Sequence, residues 1–598
     1  MTATEPRHRV PEGAESASDA ENAEGAHDAD GAEDAGQPST ASIDRALDEL
    51  QRGERAWARM TLSGRIRVLR ELADSVHLAA PLWVETAARI KGLEPDAHYI
   101  GEEWISGPYA LLDALDALTT TLAAIARGAS PIEHAAFGTA PGGRVTVPVL
   151  PRTALQGVLF HGFRADVWLE PGVTASEAAA AAGLGQLIPT ETGGVGLVLG
   201  AGNITSIPPL DVLTELFAHN RVAVLKLNPV MDDLLPVYQA ALSPLIARGL
   251  LRIVTGGSAI GTTLAHHPSV SHVHITGSAA THDAIVWGTG EDAADHRAAG
   301  TPLLQAPITS ELGGVGPIIV VPGRWSAADL QYQAEHVVTQ RLHNSGYNCI
   351  AGQVLVLSRD WPQRQRFVDE VRAALARTPA RTPWYPGSEQ RSAAASARYP
   401  QAEETDGRLL IEVDSDDSES MLQTEYFAPV LGIVDLPGEG QAFLDAAVDA
   451  ANTDFAGTLG VNIFIAPPEL EHLGDGFEQA IARLRYGTIA INTWTAVGFL
   501  TAAAPWGAYP GHTLDDVQSG IGVVHNALLL DRVERTVVRG PFRPFPRSVL
   551  HGEFALFPKP PWFVTARSAA LTGRRLTDFA ARPSWFGLPA VFAAAFRA

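Results

Sequence analysis

The chain has 598 residues, 46% of them apolar, with one cysteine and a formal net charge of −23. That length exceeds what one core covers, so at least two domains are expected, and the acidity argues against nucleic acid as the main partner. The single thiol excludes an internal disulfide and fits a reducing cytoplasm; no basic-then-apolar leader is read, nor any apolar run near the roughly 20 residues that span a bilayer.

Residues 1–41 read as a disordered acidic tail. Within the first 40, ten Asp or Glu face two Arg, and large apolar side chains are nearly missing, so burial cannot offset the ordering entropy. Ile43, Leu47 and Leu50, then Ile66, Leu69, Leu72 and Val76, recur at helical spacing, and 42–130 is predicted largely helical. In "GGRVTVPVLP", Val145, Val147 and Val149 alternate as in a half-buried strand. "ALQGVLFHGF" and "ADVWLEPG" are candidate partners, giving a strand-rich insertion over 143–172. Then short apolar runs alternate with helices: "VGLVLGAG", "VAVLKLNP", "LLRIVTGG", "VSHVHITGS", and later "GPIIVV" and "GQVLVLS". This rhythm predicts parallel βαβ units with buried strands. "DSDDSES" lacks the Gly and Glu of a calcium loop, and no His–Cys cluster has ligand spacing, so no metal is expected.

Cys349 lies in "NSGYNCIAGQ", among Asn344, Gly346, Asn348 and Gly352. A lone Cys is by base rate a small buried hydrophobe; at a helix-to-turn junction beside flexible backbone it is also a candidate for a partly exposed, activated thiol. Glu311 stands 38 residues earlier, before Gly313 and Gly314 at a strand edge. It reads as a general base or as a surface loop carboxylate.

Together these stretches resemble the aldehyde dehydrogenase superfamily. Its Glu-Leu-Gly-Gly-Lys-x-Pro pattern is matched by Glu311, Leu312, Gly313, Gly314 and Pro317, with Val315 in place of Lys. Its Asn-x-Gly-Gln-x-Cys-x-Ala-Gly pattern is matched by Asn344, Gly346, Cys349, Ala351 and Gly352, with Tyr347 in place of Gln. "LGAGNITSIPPL", "VLKLNP", "ITGSAATHDAI" and "TEYFAPV" follow in the family's order, and the resemblance spans about 42–540. It implies Cys349 as nucleophile, Glu311 as the base that activates water, and Asn203 as an oxyanion donor. Lys226, Gly277, Ser278, Glu425 and Phe427 fall at cofactor positions. The turn "VTGGSAIG" lets a helix N-terminus face a pyrophosphate, with Gly256 and Gly261 permitting close approach. Pro229 stands where a ribose-binding Glu is common, so the expected cofactor is NAD or NADP.

The resemblance further implies an α/β, aldehyde dehydrogenase-like fold: two Rossmann-like domains plus a small β oligomerisation element. The cofactor-binding domain is placed at 42–142 and 173–308, the catalytic domain at 309–515, and the oligomerisation strands at 143–172 and 530–545. A homodimer or homotetramer acting on a small-molecule aldehyde is expected. The rivals are a non-catalytic assembly or binding protein of this fold and an acyl-thioester reductase, which would need no Glu311. Trp494, Phe499 and Trp506 suggest an apolar aldehyde or plain core packing. Residues 546–598 form a basic, aromatic C-terminal extension, read as an arm packed on the protein in preference to a membrane-docking surface.

Overall fold

The structure, a computed structural model, describes residues 38–597. The acidic tail lies outside the described residues as far as residue 37.

Nineteen strands are present among the described residues. In chain order they are β1 Gly138–Ala140, β2 Arg144–Leu150, β3 Arg164–Leu169, β4 Val195–Leu199, β5 Val222–Lys226, β6 Leu251–Val254 and β7 His272–Gly277. There follow β8 Ile308–Leu312, β9 Gly316–Val320, β10 Gly352–Ser358, β11 Glu403–Thr405, β12 Arg408–Val413 and β13 Val430–Leu436. The last are β14 Gly460–Phe464, β15 Thr488–Ile491, β16 Pro505–Gly507, β17 Gly520–Ile521, β18 Val523–His525 and β19 Val533–Arg539.

A six-stranded sheet has the order β17-β8-β7-β4-β5-β6, parallel from β8 to β6. An eleven-stranded sheet has the order β1-β2-β3-β19-β15-β14-β9-β10-β13-β12-β11. β4, β5, β9, β10 and β14 are buried along their whole length, as strands covered on both faces must be. The mixed α/β architecture and parallel sheets follow from the alternating pattern.

Three details differ from the sequence expectation. "ALQGVL" is a helix, Ala154–Leu159, not a strand, because the Thr153 side chain caps it by accepting from the Gln156 N–H. The sheet boundary falls later than 309: β8, with Glu311, pairs in parallel with β7 in the six-stranded sheet, and the chain crosses to the larger sheet between Leu312 and Gly316. One described helix, Ile100–Ala126, is long and apolar enough to cross a membrane. Its Leu111, Leu112, Leu115, Leu118 and Leu122 are instead buried in the protein core.

Six helices matter below. They are α1 Thr40–Arg59, α2 Leu62–Ile90, α3 Ala110–Ala126, α4 Ile207–His219, α5 Ala327–Leu342 and α6 Ala569–Ala581. α1 buries Ile43, Leu47, Leu50 and Trp57, the stripe its spacing predicts. α2 and α3 pack together, and α2 ends at Lys91, which enters the site.

The C-terminal extension lies along α5. Arg547 pairs with Asp329 at 2.8 Å, Lys559 with Glu335 at 2.8 Å, and the Val564 N–H donates to Thr339 Oγ1 at 3.3 Å. α6 packs on Ile100–Trp104, where Gly573 leaves no room for a Cβ beside Trp104. Trp562 and Phe563 are buried, whereas Trp585 is 57% and Phe586 95% exposed.

Candidate active site

α5 starts with a capping box, Ser326 with Asp329, and runs out beside the thiol. After Leu342 the chain turns through Asn344 and Ser345, both left-handed with φ of 54° and 57°, a costly conformation that must be held by its surroundings. Asn344 provides the hold. Its N–H donates to Glu102 Oε2 at 3.0 Å, its Oδ1 accepts from Lys91 Nζ at 3.0 Å, and its Nδ2 donates to the Asn203 and Tyr347 carbonyls. Lys91 also pairs with Glu103 at 2.8 Å, and Arg381 with Glu102 at 2.8 Å. None of these four charged residues had been singled out in the sequence, because their positions relative to the loop exist only in the fold.

Cys349 follows this turn and is partly accessible. Glu311 lies near enough for its charge to act on the thiol. Burial, and then the charge of Glu311, push the thiol well above its ordinary pKa. Both effects favour the protonated thiol at rest. Burial also raises Glu311 to about 7, with Cys349 and Trp506 acting the other way. The Trp506 Nε1 lies 3.4 Å from Glu311 Oε1.

Asn203 lies at the same loop, and its Nδ2 donates to the Tyr347 carbonyl at 3.0 Å. An amide nitrogen has two protons, so one remains beyond that bond. Glu425 comes in from the far side of the "ELGG" turn. Burial raises it to about 8, and its carboxylate fills the space a Cβ on Gly313 would need. Glu311, Cys349 and Glu425 thus share one locality, and the charge of Glu425 also reaches the thiol. Phe427 stands beside it with φ of 42°, its ring 6.0 Å from that of Tyr347. The two departures from the family pattern are filled by packing. Val315 is buried, and Tyr347 donates to Ser388 Oγ at 2.7 Å while stacking among Trp384, Tyr385 and Phe427.

The remaining candidates line the carboxyl edge of the six-stranded sheet, where such sheets take nucleotides. Lys226 ends β5, buried, with its pKa lowered by burial and raised in part by Asp232. Among the described residues no carboxylate lies within ion-pairing distance of it. Gly256 has φ of 129°, and nothing would meet a Cβ on Gly257, which caps the helix Ser258–Ala265. Gly261 is a correction: it sits inside that helix, and a Cβ there would touch only Leu199 at 3.8 Å, so Gly257 is the open position. Gly277 ends β7, and Ser278 caps the helix Ala279–Trp287 by accepting from the Thr281 N–H.

Behind Glu311 runs a buried polar row. Thr276 is its register partner on β7, and alternate residues of a strand share a face, so His272, His274 and Thr276 stand beside Thr309 and Glu311. Thr276 Oγ1 donates to Asp211 Oδ2 at 3.0 Å, His274 Nδ1 lies 2.9 Å from Thr309 Oγ1, and His272 Nδ1 lies 3.1 Å from Glu215 Oε1. Asp211 and Glu215 are one turn apart on α4.

In front of Cys349 opens a pocket with about 540 Å³ of empty space. Its walls include Ile204, Trp494, Phe499, Trp506 and Trp562.

The class this arrangement defines is an α/β fold with a cysteine and a glutamate facing each other below a nucleotide-type crevice. The sequence profile described as "Aldehyde dehydrogenase family" matches residues 234–406. Solved structures agree over most of the chain. A gamma-glutamyl-gamma-aminobutyraldehyde dehydrogenase from Burkholderia cenocepacia J2315 is 19% identical, over 84% of this chain and 89% of that one, with TM-score 0.55. An NADP-dependent glyceraldehyde-3-phosphate dehydrogenase from Bacillus halodurans C-125, complexed with NADP, is 18% identical, over 84% and 92%, with TM-score 0.57. An NAD-dependent aldehyde dehydrogenase from Sinorhizobium meliloti is 18% identical, over 85% and 89%, with TM-score 0.54. The family model thus covers the stretch from the second βα unit past the thiol loop, and the solved structures share the fold of this chain.

Proposed function

We propose that this protein oxidises an apolar aldehyde to the carboxylic acid with NAD or NADP. Cys349 and Trp506 line one apolar pocket, and Glu311, 3.4 Å from the Trp506 Nε1, acts on the thiol; this arrangement carries the reading.

The residues fit the cofactor. Lys226, buried without an ion-pair partner among the described residues, has donors for ribose hydroxyls; Gly256 and the open Gly257 leave backbone accessible; Ser278 begins a helix at the same edge; and Glu425 with Phe427 borders the thiol. Bound there, the nicotinamide supplies the two-electron acceptor.

Glu311, ionised near neutral pH, takes the Cys349 proton as sulfur bonds to the carbonyl carbon. The oxygen gains the negative charge and meets the Cys349 backbone N–H and the second amide proton of Asn203. Loss of hydride from that carbon restores the C=O as a thioester on Cys349. Glu311 must first shed its proton, then takes one from water while the hydroxide oxygen bonds to the acyl carbon and the C–S bond breaks. Sulfur leaves as thiolate and is reprotonated. A carboxyl with pKa about 7 suits both proton transfers. An acyl-thioester reductase would have no use for such a base.

The short β1, exposed along most of its length, leaves a sheet edge to which a second copy would add, in keeping with a homodimer or homotetramer. A cytoplasmic location, expected from the lone reduced thiol, belongs to the same reading.

The test is to screen aldehydes of increasing chain length with each cofactor, following nicotinamide reduction, beside Cys349→Ala. Reduction that needs Cys349, with acid as product, is expected. If the wild-type protein binds neither cofactor and reduces neither with any aldehyde, the non-catalytic alternative replaces this reading.

A further inference from the structure

The pocket above Cys349 does not end at its aromatic wall. A second pocket, with about 530 Å³ of empty space, lies behind it, and the two share Ile105, Val497, Leu500 and Trp562. These side chains are all that stands between the two neighbouring cavities at that wall.

Trp562 belongs to the C-terminal extension, as do Pro561 and Leu576, which line only the outer chamber. The Trp562 ring is set by neighbours: it meets Phe163 edge-on at 6.1 Å and tilts against Phe557 at 6.0 Å. Trp562 is 7% exposed, yet its Nε1 has no hydrogen-bond partner. A buried indole N–H left unmade is costly, and this one stands at the junction of two cavities.

The outer chamber is apolar along Tyr109, Val149, Phe160 and Leu576, with Asp113, Arg152 and Gln156 on one wall. Those three are bonded to one another: Arg152 Nη2 donates to Asp113 at 3.1 Å, Gln156 Nε2 to Asp113 at 3.3 Å, and the Arg152 N–H to Gln156 at 2.9 Å, while the Arg152 Nε has no partner. Asp116 adds a second carboxylate 3.7 Å from Arg152. Two carboxylates around one guanidinium make a poor site for a further anion.

We infer that the extension builds the outer half of the substrate passage, and that the substrate is an aldehyde on a long uncharged apolar chain whose tail passes Trp562 into the outer chamber. This rests on the aldehyde-oxidising reading above, and names the substrate class for that site.

The test reads binding apart from turnover. Straight-chain alcohols from butanol to decanol are used to protect Cys349 of the full chain from alkylation by iodoacetamide. Burying each methylene gains roughly threefold to fourfold in affinity, so the half-protecting concentration should keep falling by about that factor through to decanol. Leu576→Trp and, from another element, Phe160→Trp should fill the outer chamber and bring the decanol and butanol values together. Octanal should be oxidised at least roughly tenfold more efficiently than the aldehyde of equal length ending in a carboxylate, since burying that charge is costly. A wild-type plateau at the shortest alcohols, full decanol protection in both variants, or preference for the carboxylate-ended aldehyde would each overturn the inference. Length-dependent protection without any aldehyde oxidation would instead overturn the dehydrogenase reading and leave the two-chamber passage standing.

Discussion

Lys91 donates to Asn344 across 3.0 Å while it pairs with Glu103, and neither charged side chain has any exposure. The end of α2 thereby fixes the left-handed turn that presents Cys349. Breaking a buried pair from one side leaves a bare charge and costs about 3–5 kcal/mol. Lys91→Met should lower the stability by about that much in urea denaturation, and Lys91→Met with Glu103→Leu should recover more than half of the loss. An unchanged unfolding midpoint in Lys91→Met would show that the pair does not organise the turn.

Glu311→Gln separates chemistry from stability. Without the base both thiol attack and thioester hydrolysis should slow, so the thioester that does form should persist and be visible by mass spectrometry of the intact protein after prolonged incubation with aldehyde and cofactor. Because burial raises Glu311 to about 7 from an ordinary 4.5, its stability contribution is full below pH ~4.5 and is lost as pH rises through ~7. The ionised group therefore costs the native state up to about 3 kcal/mol above that range. Glu311→Gln should match wild type in thermal unfolding near pH ~5 and exceed it near pH ~8.

The thiol supplies a second pH test. An ordinary cysteine reacts at a rate that levels above its pKa of about 8.5. Cys349, held well above its ordinary value by burial and by Glu311, should still be gaining alkylation rate at about pH 9.5. A profile that levels near neutrality would mean a thiolate at rest.

Asp232 is the carboxylate that acts on Lys226, and its Oδ1 has no hydrogen-bond partner. A carboxylate near Lys226 repels a 2′-phosphate, so NAD should be preferred over NADP. Asp232→Asn should improve the kcat/KM ratio for NADP over NAD by roughly tenfold, about 1.4 kcal/mol. A wild-type preference for NADP would refute the role.

Asp211 is buried, with its pKa raised well above the carboxylate range by that burial. Burial favours its protonated form, and Asp211→Asn should change stability at pH ~7 by less than about 1 kcal/mol. A loss of several kcal/mol would mean that the group is ionised in the polar row behind Glu311.

Much of the architecture was legible because buried parallel strands write themselves as apolar runs between helices; β4, β5, β9 and β10 all read this way. "ALQGVL" was not, because six apolar-rich residues suit either state and only the Thr153 cap decides. Cys349, Glu311 and Glu425 stood in recognisable motifs. Lys91, Glu103 and Arg381 did not, since a charged residue on a helix or a loop looks the same whether it faces water or a catalytic turn. Trp562 lies in the aromatic extension, but nothing local to "KPPWFV" says that it reaches the thiol's pocket. Gly261 misled because a glycine in a turn-like string need not sit at the turn.

The clamp of the extension along α5 has a bearing on biosynthesis. Translation delivers α5 and Cys349 well before Trp562, and domains of a growing chain can fold before the rest has been made. A ribosome-bound intermediate can thus own a nearly finished reaction centre with its roof still missing. Its aldehyde chemistry, if switched on at that stage, would be less discriminating than that of the released protein, and stop codons upstream of Trp562 would yield a promiscuous catalyst instead of a simply shorter one.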